Sequence, residues 1–130
     1  MTFCTAVNCI DGRVQLPVIE FLTDRFGVDY VDMITEPGVN RILAERTDPG
    51  GIDSILARID ISVTAHNSSA VAVVGHHDCK GNPVDESQQT IDTLAAVKYL
   101  REQCARYKDV RVIGLWVDGN GTVSEITTDQ

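Results

Sequence analysis

No stretch of this sequence approaches the roughly 18 consecutive apolar residues needed to cross a bilayer, so no spanning segment is expected. Basic residues are scarce: 11 Lys and Arg stand against 19 Asp and Glu, a formal charge of -8. Those Lys and Arg are scattered singly. No basic stripe exists to neutralise phosphates, which argues against nucleic acid and against an anionic membrane surface as partners. The start, Met1-Thr2-Phe3-Cys4, has no basic region ahead of an apolar one, and no signal peptide is expected. Repeats, low-complexity segments and Pro/Gly/Ser linkers are also missing. The 130 residues are therefore expected to form one domain, residues 1–130, large enough to bury a core and cytoplasmic in location. Thiols stay reduced in that compartment, so the four Cys are metal ligands or core residues before they are disulfides.

What is present alternates between two periodicities. Phe3 to Asn8 is a short apolar run and predicts a buried strand. Leu16, Ile19, Leu22 and Phe26 have helical spacing, and Gly27 stops that helix. Val28 to Ile34 predicts a second strand, Thr35 to Gly38 a turn, and Val39 to Glu45 a short helix. Asp48 can cap the next helix with Pro49 at its first position; that helix should run to about Ala65, with Ile52, Ile55, Leu56 and Ile59 on one face. Ala70 to Gly75 predicts a third strand. Glu86 to Tyr107 predicts a long amphipathic helix carrying Ile91, Leu94, Val97, Tyr99 and Leu100. Val110 to Val117 predicts a fourth strand, followed by a hairpin turn at Asp118 to Gly121 into Thr122 to Ile126.

Strands alternating with helices imply an α/β fold: a mostly parallel central sheet of four to five strands, flanked by helices, with an antiparallel C-terminal edge hairpin. Ligands gather at the carboxyl ends of strands in such sheets. Two segments stand there. Cys9-Ile10-Asp11-Gly12-Arg13 follows the first strand, and His76-His77-Asp78-Cys79 follows the third. Cys9, His76 and Cys79 offer two thiolates and an imidazole, a set that suits zinc and leaves a fourth position open. Asp11 and Arg13 stand two and four residues after Cys9, and an extended stretch would point all three to one side. Arg13 would then hold Asp11 ionised. Gly75 and Gly81 permit a tight path around the second segment. Spacing alone leaves open whether Cys9, His76 and Cys79 bind metal or fill the core. His77 and Asp78 are rival candidates, His77 as a proton shuttle or as an exposed turn residue. Cys4 and Cys104 are expected to be buried. His66 is expected to end a helix and contact its last carbonyls.

The two segments resemble the signatures of the β-class carbonic anhydrases, Cys-x-Asp-(Ser/Thr)-Arg and His-x-x-Cys. Three further stretches are similar to that family in the same order: Met33 to Asn40, Val71 to His76, and Val112 to Asp118 with Gly121 to Val123. The chain departs from the pattern at Gly12, where Ser or Thr is usual, and at Lys80, where Gly is usual; it is also short for the family. The resemblance implies one zinc per chain held by Cys9, His76 and Cys79, with Asp11 and Arg13 as the catalytic dyad. It implies reversible hydration of carbon dioxide to bicarbonate, a lyase reaction, by a homodimer or larger homo-oligomer. Two alternatives are carried with it: a zinc hydrolase acting on carbonyl sulfide or carbon disulfide, and a non-catalytic zinc-binding relative.

Overall fold

The computed structural model describes residues 1–127. The order of elements is β1 (Phe3–Cys9), a single 3-10 turn (Gly12–Val14), α1 (Gln15–Phe26), β2 (Tyr30–Glu36), α2 (Val39–Glu45), α3 (Pro49–His66), β3 (Ala70–His76), α4 (Glu86–Cys104), β4 (Arg111–Val117) and β5 (Val123–Glu125). The strands form one sheet in the order β2-β1-β3-β4-β5. The first four are parallel, and β5 returns antiparallel to β4. This is the expected α/β architecture, with its antiparallel edge at the C-terminal side.

Local chemistry sets the element ends. The Asp48 carboxylate accepts from the Gly51 amide at the start of α3, and Asp85 accepts from the Gln88 amide at the start of α4; each satisfies an amide that has no partner within the helix. Gly27 closes α1 in the left-handed region at φ 62, where a side chain would be strained. Asp118 Oδ1 accepts from the Asn120 and Thr122 amides and shapes the turn before β5.

Chain direction then decides the layers. From β1 the chain steps outward to β2, then crosses back to β3 and on to β4. Crossovers between parallel strands are right-handed as a rule, so steps in opposite directions put their helices on opposite faces. Val18 and Leu22 of α1 pack with Cys4, Ala6, Ala72 and Leu115 on one face. Residues of α2, α3 and α4, among them Leu43, Ile55, Ile59 and Leu100, pack with Val7, Val71, Val73 and Val112 on the other. Every residue of β3 is buried, as befits a strand covered on both faces.

Several boundaries and faces differ from expectation. β2 begins at Tyr30 rather than Val28, and α4 ends at Cys104 rather than Tyr107. Ile126 lies just beyond β5, although its amide still donates to Gly114 O. Leu16 is exposed because the 3-10 turn preceding α1 rotates the helix so that Val14, Val18 and Leu22 face inward. On α4 the expected apolar stripe is split: Val97 and Leu100 are buried, whereas Ile91 and Leu94 are exposed and Gln89 and Thr93 lie inside.

Leu16 and Leu22 therefore test the orientation of α1 directly. Leu22→Ala should cost about 2–5 kcal/mol in urea unfolding, as a core truncation does. Leu16→Ala should stay within about 0.5 kcal/mol. Equal losses would mean that α1 is rotated.

Candidate metal centre

Order reverses in this sheet between β1 and β3: β2 lies beyond one, β4 beyond the other. Connections leave in opposite directions there and open a crevice at the carboxyl ends of the two strands. Cys9 is the last residue of β1 and His76 the last of β3, so both predicted segments begin at that crevice.

After Cys9 the chain turns instead of continuing extended. Asp11 caps the 3-10 turn, its Oδ1 accepting from the Arg13 amide at 2.9 Å. That tight turn, not strand alternation, brings Asp11 and Arg13 together. The Arg13 guanidinium grips the carboxylate at both oxygens, Nη2 to Oδ2 at 2.6 Å and Nε to Oδ1 at 3.0 Å. Such forked, charge-assisted pairing fixes orientation as well as charge. Hydrogen bonds from Arg13, opposed by partial burial, lower the Asp11 pKa from 3.8 to about 2. Two residues that sequence reasoning missed brace this turn. Gln15 Nε2 donates to the Cys9 and Asp11 carbonyls at 2.8 and 2.7 Å, and Asn8 Oδ1 accepts from the Cys9 amide. Polar residues flanking the motif were the available signal.

The second segment turns at Asp78, which adopts φ 54. This left-handed step returns Cys79 toward His76. Asp78, left undecided by the sequence, also reaches across to the first segment. Its Oδ2 accepts from Arg13 Nη1 at 3.3 Å, its carbonyl from Arg13 Nη2 at 3.1 Å, and its Oδ1 from Lys80 Nζ at 3.1 Å. Arg13 thus joins the two segments. His77 is exposed, its amide donating to Val117 O. His66 corrects an expectation: it ends α3, but its Nδ1 lies 2.7 Å from Asp32 Oδ2 and its ring stacks on Phe3. The α3 terminus is closed by the Asn67 amide instead, which bonds to Ser62 O.

Cys9, His76 and Cys79 come together with all three ligand atoms within 4.8 Å of one another. All three residues are buried, and this is the one such cluster among the described residues. The two sulfurs are 3.9 Å apart and not disulfide-bonded. The hydrogen bond from the Cys79 thiol, opposed by burial, holds Cys9 below the ordinary thiol range; the same proton, held between the sulfurs, raises Cys79. His76 Nδ1 sits 2.8 Å from the His77 carbonyl. A carbonyl only accepts, so Nδ1 carries a hydrogen, and in the neutral ring Nε2 is the nitrogen available to a metal. His76 Nε2 is buried without any hydrogen-bond partner, a costly state for a buried nitrogen. Two sulfurs and one orphaned imidazole nitrogen fit a borderline-soft tetrahedral ion, and three protein donors leave one position free. Cys4 and Cys104 are buried apart from this cluster, and burial raises their thiols to about 12 and about 11.

Two cavities flank the cluster. One, of about 370 Å³, is lined by His76, Arg13, Val14, Pro17 and the 118–121 turn. The other, of about 450 Å³, is lined by Cys79, Lys80, Val84 and Trp116. His77 borders both.

A family model described as "Putative carbonic anhydrase" matches residues 1–127. The chain belongs to the carbonic anhydrase family. Solved structures show the same fold in its β-class. The β-carbonic anhydrase isoform I of Trichomonas vaginalis is 17% identical at a TM-score of 0.63, covering 97% of this chain and 83% of its own. A β-carbonic anhydrase from Sordaria macrospora, described as tetrameric, is 16% identical at 0.64, covering 98% and 81%. The carbonic anhydrase of Streptococcus mutans is 16% identical at 0.62, covering 95% and 81%. No curated protein matches the chain by sequence. The carbonic anhydrase fold thus persists here at low identity.

The Asp11–Arg13 pair carries a pH signature. Its folded pKa lies below the ordinary value, so its contribution to stability is present above about pH 4 and lost as pH falls toward 2. Arg13→Ala should return the Asp11 carboxyl from about 2 toward 3.8, read by carboxyl-carbon NMR titration. An unchanged titration would show that Arg13 does not hold it.

Proposed function

We propose that this protein is a zinc enzyme that reversibly hydrates carbon dioxide to bicarbonate. One observation carries the reading. An orphaned His76 Nε2 faces two sulfurs at a strand-end crevice, with an ionised Asp11 gripped by Arg13 beside it. Cys9, His76 and Cys79 would hold one zinc per chain. Zinc, when bound, supplies Lewis acidity that makes a strong nucleophile out of water near neutral pH.

The remaining work falls to the chain's own groups. Asp11, kept ionised by Arg13, accepts a hydrogen bond from the attacking hydroxyl and so aims its lone pair. Arg13 is fixed at two places, Asp11 and Asp78, and cannot swing without breaking both contacts. Burial of Cys9, His76 and Cys79 keeps bulk water from competing at the donor atoms. The 370 Å³ cavity beside His76 and Arg13 admits a small neutral molecule and gives the product anion a cation to meet on its way out. Gly12 brings no hydroxyl to this turn, although a Cβ there would meet nothing within 4 Å.

The same reading takes the chain as one cytoplasmic domain that assembles as a homodimer or larger homo-oligomer. The tetrameric description of the Sordaria macrospora enzyme supports assembly. No helix among the described residues is long and apolar enough to cross a membrane.

Metal analysis with stopped-flow hydration tests the reading. One zinc per chain and a rate well above buffer are expected. Zinc without that rate, but with hydrogen sulfide released from carbonyl sulfide or carbon disulfide, would move the assignment to the sulfur substrates. Zinc with neither activity would leave a non-catalytic metal protein. Cys9→Ser, His76→Ala and Cys79→Ser should each lose zinc while Cys4→Ser keeps it.

Asp11→Asn separates binding from turnover. The variant should retain one zinc and lose at least about a hundredfold in hydration rate, the lower range for a positioned proton-handling group. Full activity would remove Asp11 from the mechanism.

A further inference from the structure

We infer that Asn40, Gln89 and Asn82, with Thr93, form a buried positioning set that holds the loop carrying Cys79 against the loop bordering Cys9; this rests on the metal-centre reading above. The starting point is a violation of pattern. The inward face of α4 carries Gln89 and Thr93 near its start, while Ile91 and Leu94 point to solvent. Burying polar side chains gains little stability over an apolar core, and a local rule broken in this way marks a site where position matters.

The set is fully connected. Asn40 Nδ2 donates to Gln89 Oε1 at 2.8 Å and to Thr93 Oγ1 at 3.1 Å. Gln89 Nε2 donates to the Asn82 carbonyl at 2.8 Å, and Asn82 Nδ2 donates to Asp92 Oδ2 at 2.9 Å and Asn40 Oδ1 at 3.3 Å. Asn40, Gln89, Thr93 and Asn82 are all at most 2% exposed. What they tie together is informative. Asn82 lies three residues after Cys79, in the same loop as Gly81. Asn40 and Gly38 follow Glu36, which pairs with Cys9 across β2 and β1. The two loops touch through glycine: a Cβ on Gly38 would run into the Gly81 backbone, and one on Gly81 into Pro37 and Gly38. Gly75, at the end of β3 just before His76, leaves room for the set, since a Cβ there would strike Thr93 Oγ1 and come within 3.0 Å of Gln89 Oε1. The network therefore backs all three donor-bearing segments at once, from behind, without touching a donor atom.

Zinc affinity, measured by chelator competition on the purified full chain, reads this role apart from activity. Asn40→Leu/Gln89→Leu removes the bond between these two side chains and also takes a partner from Thr93 Oγ1 and from the Asn82 carbonyl, which disconnects the set at roughly constant side-chain volume. It should keep the circular dichroism of the native chain and weaken zinc binding by about 10–100-fold, the usual loss when groups behind metal ligands are removed. Gln89→Met keeps side-chain volume and should weaken zinc in the same direction if the double variant does not fold. Leu100→Ala, fully buried about three turns beyond Gln89 on α4, lowers the melting temperature and should leave zinc affinity unchanged. Native zinc affinity in the network variants would overturn the inference. So would an equal loss in Leu100→Ala, which would make the set merely structural. If the native chain itself takes up no zinc, the metal-centre reading falls, and the inference falls with it.

Discussion

Thr5, Ala6 and Val7 of β1 pair in parallel with Val71, Ala72 and Val73 of β3, and the candidate site hangs on that register. It places the last residues of both strands at one crevice, although Cys9 and His76 are 67 residues apart in numbering. A slip of one residue would turn every side chain of a strand to the opposite face. Cys9 would then leave the sulfur pair, and the apolar faces on both sides of the sheet would be exchanged. The register is strongly held because both strands are buried on both faces: Ala6 belongs to the α1 side and Val7 to the side of α2, α3 and α4.

Around that register the molecule concentrates groups that are costly to bury. An unpartnered imidazole nitrogen, two adjacent thiols sharing a proton and four inward-facing polar side chains come together from segments between residues 9 and 93. An apolar crevice would fold at least as well. The arrangement makes sense when a cation supplies what the donors lack. In the proposed reading a bound metal would relieve the penalty of burying these donors, which would link affinity and fold. The Asp11–Arg13–Asp78–Lys80 chain has a different character: Arg13, Asp78 and Lys80 are exposed, ion pairs of that kind contribute little to stability, and in the proposed reading the chain acts by orienting Asp11.

The parts of this site that could be read from residues are those whose cause is local. Cys9, Asp11, Arg13, His76 and Cys79 form two short segments at strand ends, and strand ends are where an α/β sheet offers ligands a place. Asp11 was assigned for the right partner and the wrong geometry, since a 3-10 turn replaces extended chain. Asp78 was ambiguous because its partner Arg13 lies 65 positions away. Ile91 and Leu94, expected on the apolar stripe of α4, are exposed while Gln89 and Thr93 are buried, because a hydropathy pattern cannot see a buried network that prefers polar groups.

By itself the sequence determined the order of strands and helices, the cap at Asp48, the stop at Gly27 and the turn at Asp118. Each depends on atoms within a few residues of chain, and a short segment carries that information whole. Tertiary structure alone decided which face of α1 and α4 meets the sheet, that Arg13 bridges Asp11 and Asp78, and that His76 Nε2 is left without a partner between two sulfurs. Those outcomes arise from packing elements that lie far apart along the chain. Only the folded sheet, with its reversal between β1 and β3, brings them within bonding distance.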